Sequence, residues 1–322
     1  MARDLLVAAV ALCAVAGASV APHLLPLERA APLPAAVVWF CGLAARVLAA
    51  LTAAVGAAFY LPAPLVTQSG HWCVSVVIPG GAEAVVTGHQ VAQAIALIPA
   101  VIVAFATVGA VRKIAREAAR VRRLLRDEVL WTGPGGASVI GGQSVVIAAA
   151  GLSRPRLLVS AGALVALDDE ELAASLDHER GHITRRHRYV VVAAEILAGI
   201  AHLIPGTERA RLETLHHLER DADQWSLGRA NDPAALARAI CKAALEPARS
   251  PVVTGLASGR TVRRVEALLR PDAGTVAWRR SITAVAAALV AASLVAASAV
   301  PATAASGVHA LTQHGPERHC AD

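Results

Sequence analysis

In the stretch DHERGHITRRH, residues 177–187, three histidines and a glutamate stand inside a chain that is 56% apolar. His178 and His182 are four residues apart. On a helix that spacing projects both imidazoles from one face, about a turn apart, as two ligands of one Zn2+ require. Glu179, beside the first, is poorly placed to ligate the same ion, but its carboxylate reaches a water held there. A third ligand comes from RARLETLHHLERDADQW, where Leu212, Leu215, Glu219, Ala222 and Asp223 share one helical face. Glu219 completes a His2Glu set and leaves the fourth position for water or substrate. Asp223, one turn on, is placed to accept the outward ring N–H of a ligand histidine and fix its tautomer. His216 lies about 60° from Glu219 around the helix and can approach the site, whereas His217 points away. His187, with Arg185, Arg186 and Arg188, reads as the solvated, headgroup-facing end of the first helix. Taken alone, Glu219 and Asp223 read more readily as a charged solvated face. The HExxH upstream favours the metal.

Local signals place these residues on elements. Asp168 followed by Glu171 resembles a capping box, and Leu172 and Leu176 supply a buried stripe, so a helix starts near residue 169 and runs through the histidines. Ahead of it, VVIAAA and RLLVS read as short strands around a Gly-Ser-Pro turn.

The surroundings are those of a membrane protein. Mean hydropathy is +0.54, and apolar runs at 5–21, 35–61, 91–111 and 281–300 approach or exceed the roughly 20 residues that cross a bilayer core. We therefore expect a mainly α fold with four transmembrane helices. Residues 62–90 hold no Lys or Arg, whereas VRKIAREAARVRRLLRDE holds seven. That asymmetry puts loop 62–90 outside, the region 112–280 in the cytoplasm and a short tail, 301–322, outside. Charge of this kind accounts for the pI of 9.5 as topology signal and headgroup contact, and no nucleic-acid partner is expected. A cleaved signal peptide at 5–21 would put the seven charges on the wrong face, so the first span is read as uncleaved. Arg46 falls inside the second run and either snorkels, lines a cavity or marks a later start of the span. The apolar run 188–204 is short and carries Glu195, so it reads as a core or re-entrant helix. Trp39, Tyr60 and Trp278 near span ends read as interface anchors. Cys73 and Cys320 share the expected outer face, where a disulfide between them can form.

HERGH, followed after 36 intervening residues by ERDAD, resembles the gluzincin pattern of HExxH and ExxxD in membrane metallopeptidases of the BlaR/MecR type and their HtpX/Ste24 relatives. Three spans, a zinc domain and a fourth span are similar to the BlaR/MecR order, and LVSAGALVALDDEELAASLDHERGH resembles the strand-helix lead-in of these proteases. The specific motifs occupy residues 144–225. The resemblance implies a cytoplasmic α+β zincin-like domain in a bacterial cell membrane, with one Zn2+ on His178, His182 and Glu219, Glu179 as general base and Asp223 behind the ligands. GRTVRRVEALL is similar to a late Arg-aliphatic segment of HtpX-like domains, which makes Arg264 a candidate oxyanion stabiliser, with His216 as its rival. The large outer penicillin-binding sensor of the BlaR/MecR proteins has no counterpart in this chain, so β-lactam sensing is not expected.

The expected activity is hydrolysis of peptide bonds in a cytoplasmic or membrane-surface protein, in regulatory or quality-control proteolysis. A substrate peptide is expected to add as a strand near RLLVS, and the outer loop can take a regulatory partner. The alternative is a non-catalytic zinc-binding membrane sensor or scaffold.

Overall fold

Among the described residues, two long apolar helices precede a body of one four-stranded sheet and six helices. The computed structural model describes residues 16–60, 73–78, 82–127, 129–245 and 259–270. Along the chain come α1 (16–24), α2 (Pro32–Tyr60), the strands β1 (Cys73–Ile78) and β2 (Ala82–Thr87), and α3 (Gly88–Asp127). Then follow β3 (Val129–Thr132), β4 (Ser138–Ile140), β5 (Ile147–Ala150), β6 (Arg156–Ser160) and α4 (Ala161–Ala166). The last described elements are α5 (Asp169–Thr184), α6 (His187–Ile200), α7 (Thr207–Leu227), α8 (Pro233–Leu245) and α9 (Gly259–Leu269).

Pro32–Thr52 in α2 and Leu97–Arg123 in α3 are long and apolar enough to cross a membrane. Along α3, Ile98, Val101, Ile102, Phe105 and Val108 are exposed, an apolar face larger than water favours. Most of the expected span 5–21, the whole of 281–300, the tail 301–322 and Cys320 lie outside the described residues. β1 and β2 pair as an antiparallel hairpin within the expected outer loop.

Arg46 is 3% exposed and does not snorkel. Its guanidinium donates to the carbonyls of Ser19 (2.9 Å), Gly42 (2.9 Å) and Pro205 (3.3 Å) and lies 3.0 Å from His23 Nε2. It therefore ties α1, α2 and the turn before α7 together, giving a buried charge the partners it requires. Trp39 is not an interface anchor: it is buried with Val38 and Leu43 of α2 against Ala194 and Ala198 of α6 and Ala210 of α7.

α6 is 14 residues long, about 21 Å, too short for a bilayer core of about 30 Å. It buries His187, Ala194 and Ala198, and its Glu195 pairs with Lys113 of α3 (3.1 Å) and with Arg211 of α7.

The four-stranded sheet has the order β3-β4-β6-β5, with β4 and β6 parallel and the other pairs antiparallel. RLLVS (β6) is thus an interior strand, and β3 and β5 are the edges. Both sides of β6 are hydrogen-bonded, so the edge near RLLVS is that of its neighbour β5 and not of RLLVS itself. Val145 and Val159 of the sheet region pack with Leu167, with Leu176 of α5 and with Ala239 of α8, burying one sheet face.

Candidate metal centre

The capping box at the start of α5 forms as its residues predict. Asp168 Oδ1 accepts from Glu171 N at 2.8 Å, and Glu171 Oε2 accepts from Asp168 N at 3.1 Å. Glu171 is 1% exposed and also holds Lys242 (2.6 Å) and Arg238 (3.1 Å), which fixes α5 against α8. α5 ends at Thr184 instead of running to residue 187, because Arg186 takes the left-handed conformation at φ 57°. Small residues let α5 and α7 approach: Ala174 and Ala222 are fully buried, and a Cβ on Gly181 would stand 3.0 Å from the Trp225 side chain.

Across this contact, His178 Nε2 and His182 Nε2 are 3.1 Å apart. Glu219 Oε2 lies 3.4 Å from the first and Glu219 Oε1 lies 3.4 Å from the second. A tetrahedral Zn2+ with bonds of about 2.0–2.1 Å spaces its ligands about 3.3–3.4 Å apart, so the three side chains fit that ion closely. Side-chain exposure rises from 8% at His178 through 17% at His182 to 32% at Glu219, so the centre opens to solvent on the Glu219 side.

Each imidazole is backed on its outer side. His178 Nδ1 sits 2.9 Å from Asp223 Oδ1, close enough for an ion pair though off the line of a good hydrogen bond. Asp223 in turn accepts from Arg264 Nη2 at 2.7 Å and Nε at 3.0 Å. His182 Nδ1 faces His187 Nδ1 at 3.0 Å, and His187 Nε2 reaches Asp221 Oδ2 at 3.1 Å. His187 is 1% exposed, which overturns its expected place on the solvated, headgroup-facing end of the helix. The turn at Arg186 folds it back beneath the site.

The charges are strongly coupled. Burial disfavours a charged His178, but the Asp223 and Glu219 carboxylates outweigh it and push His178 up to about 10. Burial dominates at His182, which falls to about 4. Against burial, Arg264 and the histidines hold Glu219 well below the usual carboxylate range, and Arg264 and His178 hold Asp223 at about 2. The partly buried Glu179 is pushed up to about 7 by burial, and neighbouring Glu219 acts in the same direction. Its Oε2 accepts from Ala149 N, on the edge strand β5, at 2.7 Å.

The two oxyanion candidates separate. Arg264 is brought to the centre, 4% exposed, with Nη1 2.8 Å from Glu219 Oε2, so it anchors the third candidate ligand and Asp223 together. His216 is not brought there: it is buried facing Glu28 at 3.6 Å, on the turn between α1 and α2. His217 points away from the centre, as expected, and with Glu28 and Glu213 makes a second group of metal-ligand types. There Arg263 binds both carboxylates, at 2.5 Å and 3.1 Å, and Arg220 approaches His217 Nδ1 at 3.2 Å. Guanidinium groups already supply the positive charge, and that group is an ion-pair cluster.

Glu179, Asp223, His178, His182 and Glu219 thus gather as their spacing predicts, and Arg264 joins them as the ion-pair partner of Glu219 and Asp223. His187 joins them against its expected place, and Asp221 and Ala149 join them without any expectation from the sequence. A histidine nine residues after His178 and an aspartate two before Asp223 carry no motif of their own. No protein-family model, curated protein or solved structure matches this chain.

Proposed function

We propose that this chain is an integral-membrane zinc metalloendopeptidase that hydrolyses peptide bonds of a cytoplasmic or membrane-surface protein. The observation that carries the reading is the triangle of His178 Nε2, His182 Nε2 and the Glu219 carboxylate, at 3.1, 3.4 and 3.4 Å, beside the Glu179 carboxyl. These three residues would hold one Zn2+ per chain. When bound, the ion supplies Lewis acidity, polarising a carbonyl and acidifying a water.

The remaining work belongs to the side chains. Glu179, raised by burial in the metal-free site, is placed to take a proton from the water and return it to the leaving amine nitrogen. Arg264 and Asp223 keep Glu219 ionised and His178 oriented. The edge strand β5 lies beside Glu179, and an extended peptide added along that edge would make the substrate a protein and not a small molecule.

Multi-pass insertion with the zinc domain in the cytoplasm is part of the proposal, with further spans at 5–21 and 281–300. Packing supports a common side for the centre and the basic segment. The start of α2 (Ala35, Val38, Trp39) packs against α6 and α7, and Lys113, just past the apolar part of α3, pairs with Glu195. The β1–β2 hairpin joins the opposite ends of α2 and α3, in the loop without Lys or Arg, and so belongs outside.

The test compares purified wild type with Glu179→Gln on an unfolded protein. Wild type is expected to cut internally, and the variant to keep its zinc while losing activity by about 100-fold or more. A zinc-loaded wild type as inert as the variant would support the sensor or scaffold instead.

A further inference from the structure

His182 can bind a metal through Nε2 only if its ring proton sits on Nδ1. That nitrogen faces His187 Nδ1 at 3.0 Å, with the rings nearly perpendicular at 79°. Two facing nitrogens share one proton, so His187 accepts there and carries its own proton on Nε2. This second N–H points at Asp221 Oδ2, 3.1 Å away, and Asp221 Oδ1 forms an ion pair with Arg185 Nη1 at 3.2 Å. Every group in the chain is satisfied in one direction only. Buried as they are, with His187 at 1% and Asp221 at 4% side-chain exposure, neither group has water as an alternative partner.

The backbone is arranged for this contact. On an uninterrupted helix a residue five positions beyond His182 would lie about 140° away around the axis, out of reach of the outward nitrogen. The left-handed turn at Arg186, unfavourable for a residue with a side chain, breaks α5 and starts α6 so that His187 returns to the ring. α6 is itself held by Ala194 and Ala198 against α2 and α7. His187 is therefore fixed before any metal arrives.

We infer that His187 is a positioning residue of the metal centre: backed by Asp221 and Arg185, it fixes the Nδ1–H tautomer and ring orientation of His182. The inference rests on the zinc reading above. It assigns His182 a backing distinct from that of His178, an imidazole in front of a carboxylate in place of the carboxylate alone.

The test is metal binding by the full-length protein, with Zn2+ affinity and the visible spectrum of the Co2+-substituted form read together. His187→Leu, which removes both contacts, is expected to weaken Zn2+ binding about 10- to 100-fold and to shift the Co2+ band. His187→Gln, whose amide can accept from His182 and donate to Asp221, should recover most of that affinity. Asp221→Asn should shift the band in the same direction as His187→Leu, and it carries the test if the leucine variant does not fold. A purely structural role would lower the melting temperature of the metal-free leucine variant and leave affinity and spectrum as in wild type, and that result overturns the inference. The same holds if Asp221→Asn leaves the band unmoved. A wild type that binds no zinc sinks the zinc reading and this inference with it, whereas a zinc-binding wild type with unresponsive variants sinks only this one.

Discussion

The Ala149 N–H donates to Glu179 Oε2 across 2.7 Å, joining the edge strand of the sheet to the proposed general base. This bond favours the ionised carboxylate and opposes the burial that raises it to about 7. Ala149→Pro removes the donor at an edge position, where proline is tolerated because no ladder bond is lost. The acid limb of kcat/KM, which follows ionisation of the base, should then move to higher pH, while Ala149→Gly should leave it in place. A pH-rate profile of both variants measures this. Identical limbs in the proline variant and wild type would show that the bond does not act on Glu179.

Arg264 neutralises two carboxylates at once, with contacts of 2.8 Å to Glu219 and 2.7 Å to Asp223, and it is 5% exposed at the side chain. Arg264→Gln leaves the buried Asp223 and the partly exposed Glu219 without that charge, and the buried Arg264–Asp223 pair broken on one side costs about 3–5 kcal/mol. Zinc brings positive charge to the same place. The variant should therefore lose more stability in chelator than in zinc, as denaturation of both proteins under the two conditions will show. Equal losses under both conditions would mean that Arg264 and the metal do not share the charge of Glu219.

Proton competition should govern the metal. Without zinc, His178 is held up to about 10, above its ordinary value of 6.5. Its charged form thus adds stability that is fully present below pH 6.5 and is lost as pH rises through about 10. Zinc must displace that proton, whereas His182, at about 4, is already neutral at pH 7 and Glu219 is already ionised. Apparent Zn2+ affinity should rise about tenfold per pH unit between pH 7 and 9, with about one proton released per ion. Calorimetry in buffers of different ionisation enthalpy reads both quantities. A flat pH dependence with no proton release would remove His178 from the ligand set or its proton from the metal-free state.

The parts of this centre that could be read from the sequence are those fixed within one helix. The Asp168–Glu171 cap, the shared face of His178 and His182, and the shared face of Glu219 and Asp223 depend on spacing alone, and all three form. What depends on packing between distant segments was not readable. RLLVS has the composition of any buried strand, and nothing in it distinguishes an interior position from an edge. Arg186 lacks the glycine or proline that usually marks a break, so α5 was expected to continue and His187 to face solvent. His216 shares a helix with Glu219, but Glu28, nearly two hundred residues earlier, claims the side of α7 from which His216 projects. Arg46 looked costly in an apolar run because its carbonyl partners lie on α1 and before α7.

The most direct measurement is zinc content together with zinc-edge X-ray absorption on the purified full-length protein. One Zn2+ per chain is predicted, bound by two imidazole nitrogens and carboxylate or water oxygen with no sulfur. Glu219→Gln should weaken binding, and Glu179→Gln should leave the two imidazoles in place. A protein isolated without zinc, a sulfur ligand in the spectrum, or a metal indifferent to Glu219→Gln would contradict the centre proposed on His178, His182 and Glu219.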